Sequence, residues 1–393
     1  MKKILALALA LCMIFALSAC GQSAAPAAAP AAEPAAAPAA EPAAEAAADI
    51  QVAMITDYGD ITDQSFNQTT YEACKAYCES NGLAFTYFKP ASDSDEDRVS
   101  MIEKAIDEGY NVIVMPGYAF APAIAATAPD YEDVYFIALD VSEFDLTSAG
   151  LEPPLPANLY SAVYQEELCG YMAGYAAVKL GYTKLGFLGG MAVPAVVRYG
   201  YGFVQGADAA AAELGADVSL NYAYGNQFYG DADITAAMDT WYGAGTEVVF
   251  ACGGGIYSSA AEAAAKVGGK VIGVDVDQSF NIDGQYGEGM TVTSAMKGLG
   301  ATVNTMLAAV QAGEFANYGG KVENLGLVSE DPELNYVQLP SATTQFGEGF
   351  SAEDYVKLVG DMFNGVITVN NDISISAADN ATVIAVNDQG NLK

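Results

Sequence analysis

Short runs of Val, Ile, Met, Phe and Leu alternate along this chain with stretches of helical length, and nothing else in the sequence constrains the fold as strongly. Gln51–Thr56, bounded by Asp57 and Gly59, reads as a buried strand, and Phe66–Asn81, closed by Gly82, as the helix after it. The series continues with a strand over Leu83–Phe88, a helix over Arg98–Glu108 and a strand over Val112–Met115. A helix over Ala121–Ala128 and a strand over Val134–Leu139 follow. Strands without a polar face must be covered on both sides, and intervening helices make each connection a crossover, so the product is a doubly wound parallel sheet. The pattern breaks around Asn158–Val163 and resumes with a helix over Gln165–Lys179. Strands over Lys184–Leu188, Val218–Tyr222, Glu247–Phe250 and Lys270–Val274 then alternate with helices over Val196–Glu213, Ile234–Tyr242 and Ser258–Ala264. The fold class is α/β, with two doubly wound parallel-sheet lobes in tandem and a cleft between them.

The first 49 residues belong to neither series. Met1-Lys2-Lys3 gives a positive end, Ile4–Ala16 an apolar stretch too short to span a bilayer, and Leu17-Ser18-Ala19-Cys20 a small-residue cleavage site ending in cysteine. This matches the lipobox of bacterial lipoproteins, so residues 1–19 are expected to be removed and Cys20 to carry acyl chains that hold the protein on the extracytoplasmic face of the cell membrane. Residues 20–49 are almost wholly Ala, Pro and Glu, with Pro at 26, 30, 34, 38 and 42, which blocks continuous helix and leaves an extended tether.

Composition excludes several functions. Removing Lys2 and Lys3 takes the formal charge from −34 to −36, so no basic surface is present to neutralise nucleic-acid phosphates. There is no histidine, which rules out Ser-His-Asp and Cys-His catalysis and disfavours a catalytic zinc site. Cys74, Cys78, Cys169 and Cys252 read as small buried apolar residues, since Cys74 and Cys78 lie one helical turn apart, a poor geometry for a disulfide. Asp93-Ser94-Asp95-Glu96-Asp97 imitates a calcium loop but has Arg98 where glycine is needed and Lys104 where the closing glutamate belongs. No metal, cofactor or catalytic residue is expected.

In open α/β sheets ligands bind beyond the carboxyl ends of the strands. The residues there are Thr56–Gln68, Asp140, Gly189-Gly190, Cys252–Gly255 and Asp275-Val276-Asp277-Gln278. They are carboxylates, amides and glycines with one phenylalanine at a helix start, a set suited to a neutral, hydroxyl-bearing ligand with a flat face. No phosphate-binding glycine motif is present, and no basic residue adjoins Gly253–Gly255.

Five pieces in order then carry a family resemblance. They are Asp63-Gln64-Ser65-Phe66-Asn67-Gln68, Gly186-Phe187-Leu188-Gly189-Gly190, Gly202-Phe203-Val204-Gln205-Gly206, Gly273-Val274-Asp275-Val276-Asp277-Gln278 and Thr293-Ser294-Ala295-Met296-Lys297. Residues 50–370 resemble the basic membrane protein (BMP) family of lipoproteins, substrate-binding components of nucleoside ABC transporters with a type I periplasmic-binding-protein fold. The resemblance implies that Phe66 stacks on a base with Asp57 and Asn67 beside it, while Asp140 reads a base or hydroxyl edge. It further implies that Asp275 and Lys297, with the backbone at Gly253, hold ribose hydroxyls. A second stacking ring falls in Tyr224–Asp231, where Phe228 is the first choice and Tyr229 or Tyr224 the alternatives. Structural roles compete at three positions: Asp57 as a turn cap, Phe66 as core, and Lys297 as a solvated lysine. Asp277 and Gln278 read as hinge hydrogen-bonding groups, and Phe203 as lobe packing.

On the family's plan the chain crosses between lobes near 159, 277 and 313–330. The first lobe would be 50–158 plus about 277–312, and the second 159–276 plus about 313–393. The implied function is capture of a nucleoside, purines foremost, by a lipid-anchored monomer that delivers it to a membrane permease. A sugar or furanose-signal binder and a ligand-sensing receptor for a membrane kinase are the alternatives. A nucleoside hydrolase is disfavoured, because no calcium-binding aspartate run stands near the amino end of the fold. The tail beyond Asn370 ends in a strand-like Ala381–Val386 and carries no functional expectation.

Overall fold

The computed structural model describes residues 50–393; the leader, Cys20 and the Ala/Pro/Glu spacer lie outside the described residues. The first half of the chain forms β1 (Gln51–Ile55), α1 (Phe66–Asn81), β2 (Ala84–Phe88), α2 (Asp95–Asp107), β3 (Val112–Pro116), α3 (Ala121–Thr127), β4 (Tyr135–Leu139), α4 (Glu143–Ser148) and β5 (Leu159–Tyr164). There follow α5 (Glu166–Lys179), β6 (Lys184–Gly189), α6 (Pro194–Leu214), β7 (Ser219–Tyr224), α7 (Ala232–Gly243), β8 (Val248–Cys252), α8 (Tyr257–Ala265), β9 (Lys270–Asp275) and α9 (Ser279–Tyr286). The chain closes with β10 (Thr291–Lys297), α10 (Leu299–Gln311), β11 (Lys321–Leu325), β12 (Val337–Gln338), α11 (Ala352–Phe363) and β13 (Ala385–Asn391).

These strands form two sheets, one of six strands in the order β11-β5-β4-β3-β1-β2 and one of seven in the order β12-β10-β9-β8-β6-β7-β13. Every named pairing is parallel except β10 with β12. Their central strands are buried on both faces, as the unbroken apolar runs require. Strand for strand the two orders match, and β13 alone has no counterpart in the other sheet.

The expected crossing points need correction. β5 (Leu159–Tyr164) pairs with β4 and β11, so it belongs to the first lobe and the chain leaves that lobe at Gln165, not near 159. β10 pairs with β9, which keeps residues 277–297 in the second lobe and moves the return to Gly298. α10 then packs on α1, and β11 completes the first sheet before the last crossing beyond Leu325. Residues 277–290 carry no signal of crossing, because α9 simply continues the second lobe's alternation. The three crossings are tied together: Gln165 N–H donates to Leu325 O at 3.0 Å, Gly298 N–H to Tyr336 O at 2.7 Å and Tyr336 N–H to Gly326 O at 3.1 Å.

The closest helix contact is between α5 and α6. A Cβ on Gly170, Gly174, Gly202 or Gly206 would collide with the backbone carbonyl of Tyr199, Phe203, Glu167 or Tyr171 respectively, so each helix lays its own pair of glycines, four residues apart, on the other. Phe203 is fully buried there against Phe250, in the lobe-packing role its sequence context suggests. The tail strand is displaced from expectation: pairing with β7 begins at Ala385 and runs to Asn391. Residues 382–384 have their N–H groups committed to Asp208 and cannot join the ladder.

Candidate functional site

Among the described residues, four other than glycine adopt the left-handed conformation: Gln64 (φ 57°), Asp140 (φ 62°), Asn226 (φ 57°) and Asp275 (φ 64°). All four line a single cavity of about 710 Å³ at the carboxyl ends of the strands. Such backbone is unfavourable for a side chain with a Cβ and persists where surrounding structure enforces it, often at ligand sites. Asp140 follows β4 and Asp275 ends β9, equivalent places in the two sheets, so each lobe contributes one aspartate to the cleft.

The start of α1 forms one wall. Its N-cap Ser65 makes no capping bond with its side chain. Asp63 satisfies the first turn instead, accepting from the N–H groups of Ser65 and Gln68 at 3.0 Å and of Asn67 at 2.9 Å. That frees the Ser65 hydroxyl to donate across the cleft to Asp275 Oδ2 at 2.6 Å. Asp57 accepts from Gly59 N–H at 2.6 Å and from the Asn67 amide at 3.2 Å. Burial nevertheless pushes its carboxyl up to about 6, because these donors offset only part of the desolvation. Asp57 caps the Gly59 turn and also lines the cavity.

An ionic network bridges the two lobes beside this wall. The Lys297 ammonium, buried at the end of β10, lies 2.5 Å from Asp140 Oδ2, 3.4 Å from Glu166 Oε1 and 3.6 Å from Asp275 Oδ1. It also sits 4.7 Å from the Phe66 ring centre and 5.8 Å from that of Tyr199. A solvated lysine is therefore excluded. Burial alone pulls this ammonium down, but Asp140, Asp275 and Glu166 outweigh it and hold the group above its ordinary value. The Asp140 carboxyl moves up to about 6, chiefly through burial and against the pull of Lys297. Arg198 Nε closes the network with a 2.7 Å bond to Glu166 Oε2. Among the described residues, the buried acceptors Asp140 Oδ1 and Asn67 Oδ1 on the cavity lining have no hydrogen-bond partner. Buried acceptors ordinarily have a donor, so both atoms are open to one from a bound molecule or water.

Aromatic faces complete the site. Phe228 stacks on Tyr58 across the cleft at 6.4 Å between ring centres and 29° between planes. The ring lies so close to Gly190 that a Cβ there would strike Phe228, and a Cβ on Gly253 would meet both Gly190 and Phe228. Of the alternatives, Tyr229 lines the cavity rim and Tyr224 points into the second lobe's core, its hydroxyl 2.8 Å from that of Tyr222.

All eight residues singled out from sequence, Asp57, Phe66, Asn67, Asp140, Phe228, Gly253, Asp275 and Lys297, line this cavity. Sequence reasoning missed Tyr58, Glu166, Arg198 and Tyr199. Tyr58 stands inside the Thr56–Gln68 strand-end segment and was within reach. Glu166 and Arg198 carry no local signal, since their meaning is a pairing over 32 residues. Gln278 is no hinge group: its amide donates to Gln64 O at 3.1 Å and Gly254 O at 3.3 Å, bridging the lobes at the cleft. Asp277 accepts from Ser279 N–H and Thr343 within the second lobe.

Comparison with known proteins agrees with this geometry. The chain is 28% identical over 339 residues to the ABC transporter nucleoside-binding protein BmpA of Lactococcus lactis, covering 82% of this chain and 89% of that protein. It is 26% identical over 298 residues to basic membrane protein A of Borreliella burgdorferi, covering 73% and 81%. Among solved structures, an ABC-transporter solute-binding protein from Aeropyrum pernix superposes with a TM-score of 0.63 at 21% identity, over 81% of this chain and 87% of that one. One from Conexibacter woesei gives 0.61 at 20%, over 82% and 99%. These likenesses show the two-lobed type I periplasmic-binding-protein fold. Residues 50–338 match the family model described as ABC transporter substrate-binding protein, PnrA-like, and the chain belongs to this Bmp family of substrate-binding proteins.

Proposed function

We propose that the cleft captures a nucleoside, purines foremost, and that the protein presents it to an ABC permease in the membrane from which Cys20 suspends it as a monomer. The observation that carries this reading is the make-up of one cavity, whose lining combines the aromatic rings of Phe66, Tyr58 and Phe228 with the acceptors of Asp57, Asn67, Asp140 and Asp275. Asp57 and Asn67 suit the N–H groups of a base edge. Asp140 and Asp275, with Lys297 between them, suit vicinal hydroxyls, because the carboxylates accept their protons while the ammonium donates to their oxygens. A phosphate is a poor occupant, since the ammonium is already outnumbered by carboxylates. The nucleoside-binding relative supports the same reading.

Calorimetry with adenosine, guanosine, inosine, cytidine, uridine and ribose tests it. At least one nucleoside binds and ribose alone does not; binding of ribose only, or of none of the six, overturns the reading. Phe66→Ala and Asp275→Ala each weaken nucleoside binding by more than ~1.5 kcal/mol, roughly tenfold, through loss of a stacking face or a buried acceptor. Incorporation of labelled fatty acid that is abolished by Cys20→Ser tests the anchor.

A further inference from the structure

β13 is the strand that only the second lobe has, and it lies beyond residues 50–338, the part matched by the family model. Its placement is specific. Asp208 on α6 fixes the segment by accepting from the N–H groups of Thr382, Val383 and Ile384 at 2.9, 2.7 and 3.0 Å and from the Thr382 hydroxyl at 2.7 Å. From there β13 runs parallel to β7, from Ala385 opposite Ser219 to Asn391 opposite Tyr224, and so toward the carboxyl end where the cavity lies. The register slips between Asp388 and Asn391, where Gly390 takes φ 64°. Beside that irregularity Gln389 Oε1 accepts from the Trp241 indole at 3.3 Å.

The last contacts fall on the two ends of one loop. Leu392 N–H donates to Tyr224 O at 2.9 Å, where β7 stops, and the Lys393 ammonium pairs with Asp231, which caps α7 through Ile234 N–H at 3.0 Å. Between Tyr224 and Asp231 lie left-handed Asn226 and the cavity ring Phe228. On its inner side this loop is held by Gly255 N–H donating to Phe228 O at 2.9 Å and by the Ser259 hydroxyl accepting from Asp231 N–H at 3.0 Å. The β13 segment supplies the outer side.

We infer that Ala385–Lys393 is a clamp that holds the 225–231 loop in its bound-like conformation and so positions Phe228 against the ligand. The inference rests on the reading of the cavity as a nucleoside site. Preorganising a contact loop strengthens binding because less ordering remains to be done when the ligand arrives. A segment that merely covered the free edge of β7 would protect β7 and leave the loop unaffected.

Two variants test this: deletion of residues 388–393, and the double substitution Leu392→Pro/Lys393→Ala, which removes the two ties to the loop together with the packing of the Leu392 side chain on the core around Trp241. Amide hydrogen exchange is measured in the ligand-free protein, and inosine affinity by calorimetry. Exchange at 225–231 is expected to accelerate at least tenfold in both variants, with β6 and β8 unchanged, and inosine affinity to fall five- to twentyfold. Unchanged exchange of the loop in the double variant overturns the clamp, and so does faster loop exchange with wild-type affinity. If the wild-type protein binds no nucleoside, the cavity reading falls, and the exchange rates alone uphold or overturn the clamp.

Discussion

At Lys297 one ammonium faces Asp140, Glu166 and Asp275, and among the described residues the Arg198 guanidinium on Glu166 is the one further cation paired into this network. Removing the lysine charge leaves carboxylates buried without compensation, which costs about 3–5 kcal/mol when one partner of a buried pair is lost. Lys297→Met therefore lowers the urea midpoint sharply, and the loss is smaller at pH 5 than at pH 8, because Asp140 can then take up a proton. A second pH effect follows from Asp57, whose carboxyl burial raises from 3.8 to about 6. Burial likewise raises Glu167 from 4.5 to about 7. The folded chain holds these protons more tightly than the unfolded chain does. Their contribution to stability is complete below the unfolded values and is lost as pH rises through the folded ones. Urea midpoints accordingly fall between about pH 4 and 7, and Asp57→Asn flattens part of that fall. The Asp57, Asp140 and Asp275 positions were legible because strand ends announce them. The neutralising of one aspartate per lobe by a shared lysine was not, since 157 residues separate Asp140 from Lys297.

Helix α1 and the α5–α6 pair show how elements place these residues. Asp63, which stands before the helix proper, takes over the capping of α1 and leaves Ser65 free for Asp275, so the helix start becomes a cleft wall. The Gly202-Phe203-Val204-Gln205-Gly206 piece, conspicuous in sequence, is explained by packing: its glycines admit the backbone of α5. That approach also brings Glu166, at the first turn of α5, against Arg198 on the first turns of α6. Gly206→Ala forces a methyl onto the Tyr171 carbonyl and separates the helices, an overpacking worth about 1–3 kcal/mol. Calorimetric melting should show the lower Tm, and nucleoside affinity should drop with it as the Glu166–Lys297 contact lengthens. An unchanged Tm would contradict the packing account.

For the whole molecule, the contacts that span the cleft define what closure means. Asp140 reaches Lys297, Ser65 reaches Asp275, Gln278 reaches Gln64 O and Tyr58 stacks on Phe228, each joining residues of different lobes. A ligand that engages both walls favours this closed arrangement over an open one by its differential affinity. On the proposed reading, saturating nucleoside, at about 100 times its Kd, raises unfolding free energy by roughly 2.7 kcal/mol. X-ray scattering should record a smaller radius of gyration on binding, and an unchanged radius would mean that the unliganded lobes are already closed. The chain's local pattern was enough for the α/β class, the two lobes and the strand-end carboxylates and amides that line the cavity. These follow from local patterning, in which apolar runs of strand length and their flanking polar residues are contiguous in the chain. That β5 stays with the first lobe and β10 with the second, that Glu166 and Arg198 support Lys297, and that the tail reaches the Phe228 loop emerges in the folded chain alone. Each of those depends on which distant partner fills a sheet edge or balances a buried charge, and that choice is made by packing and pairing energies that no local stretch of sequence contains.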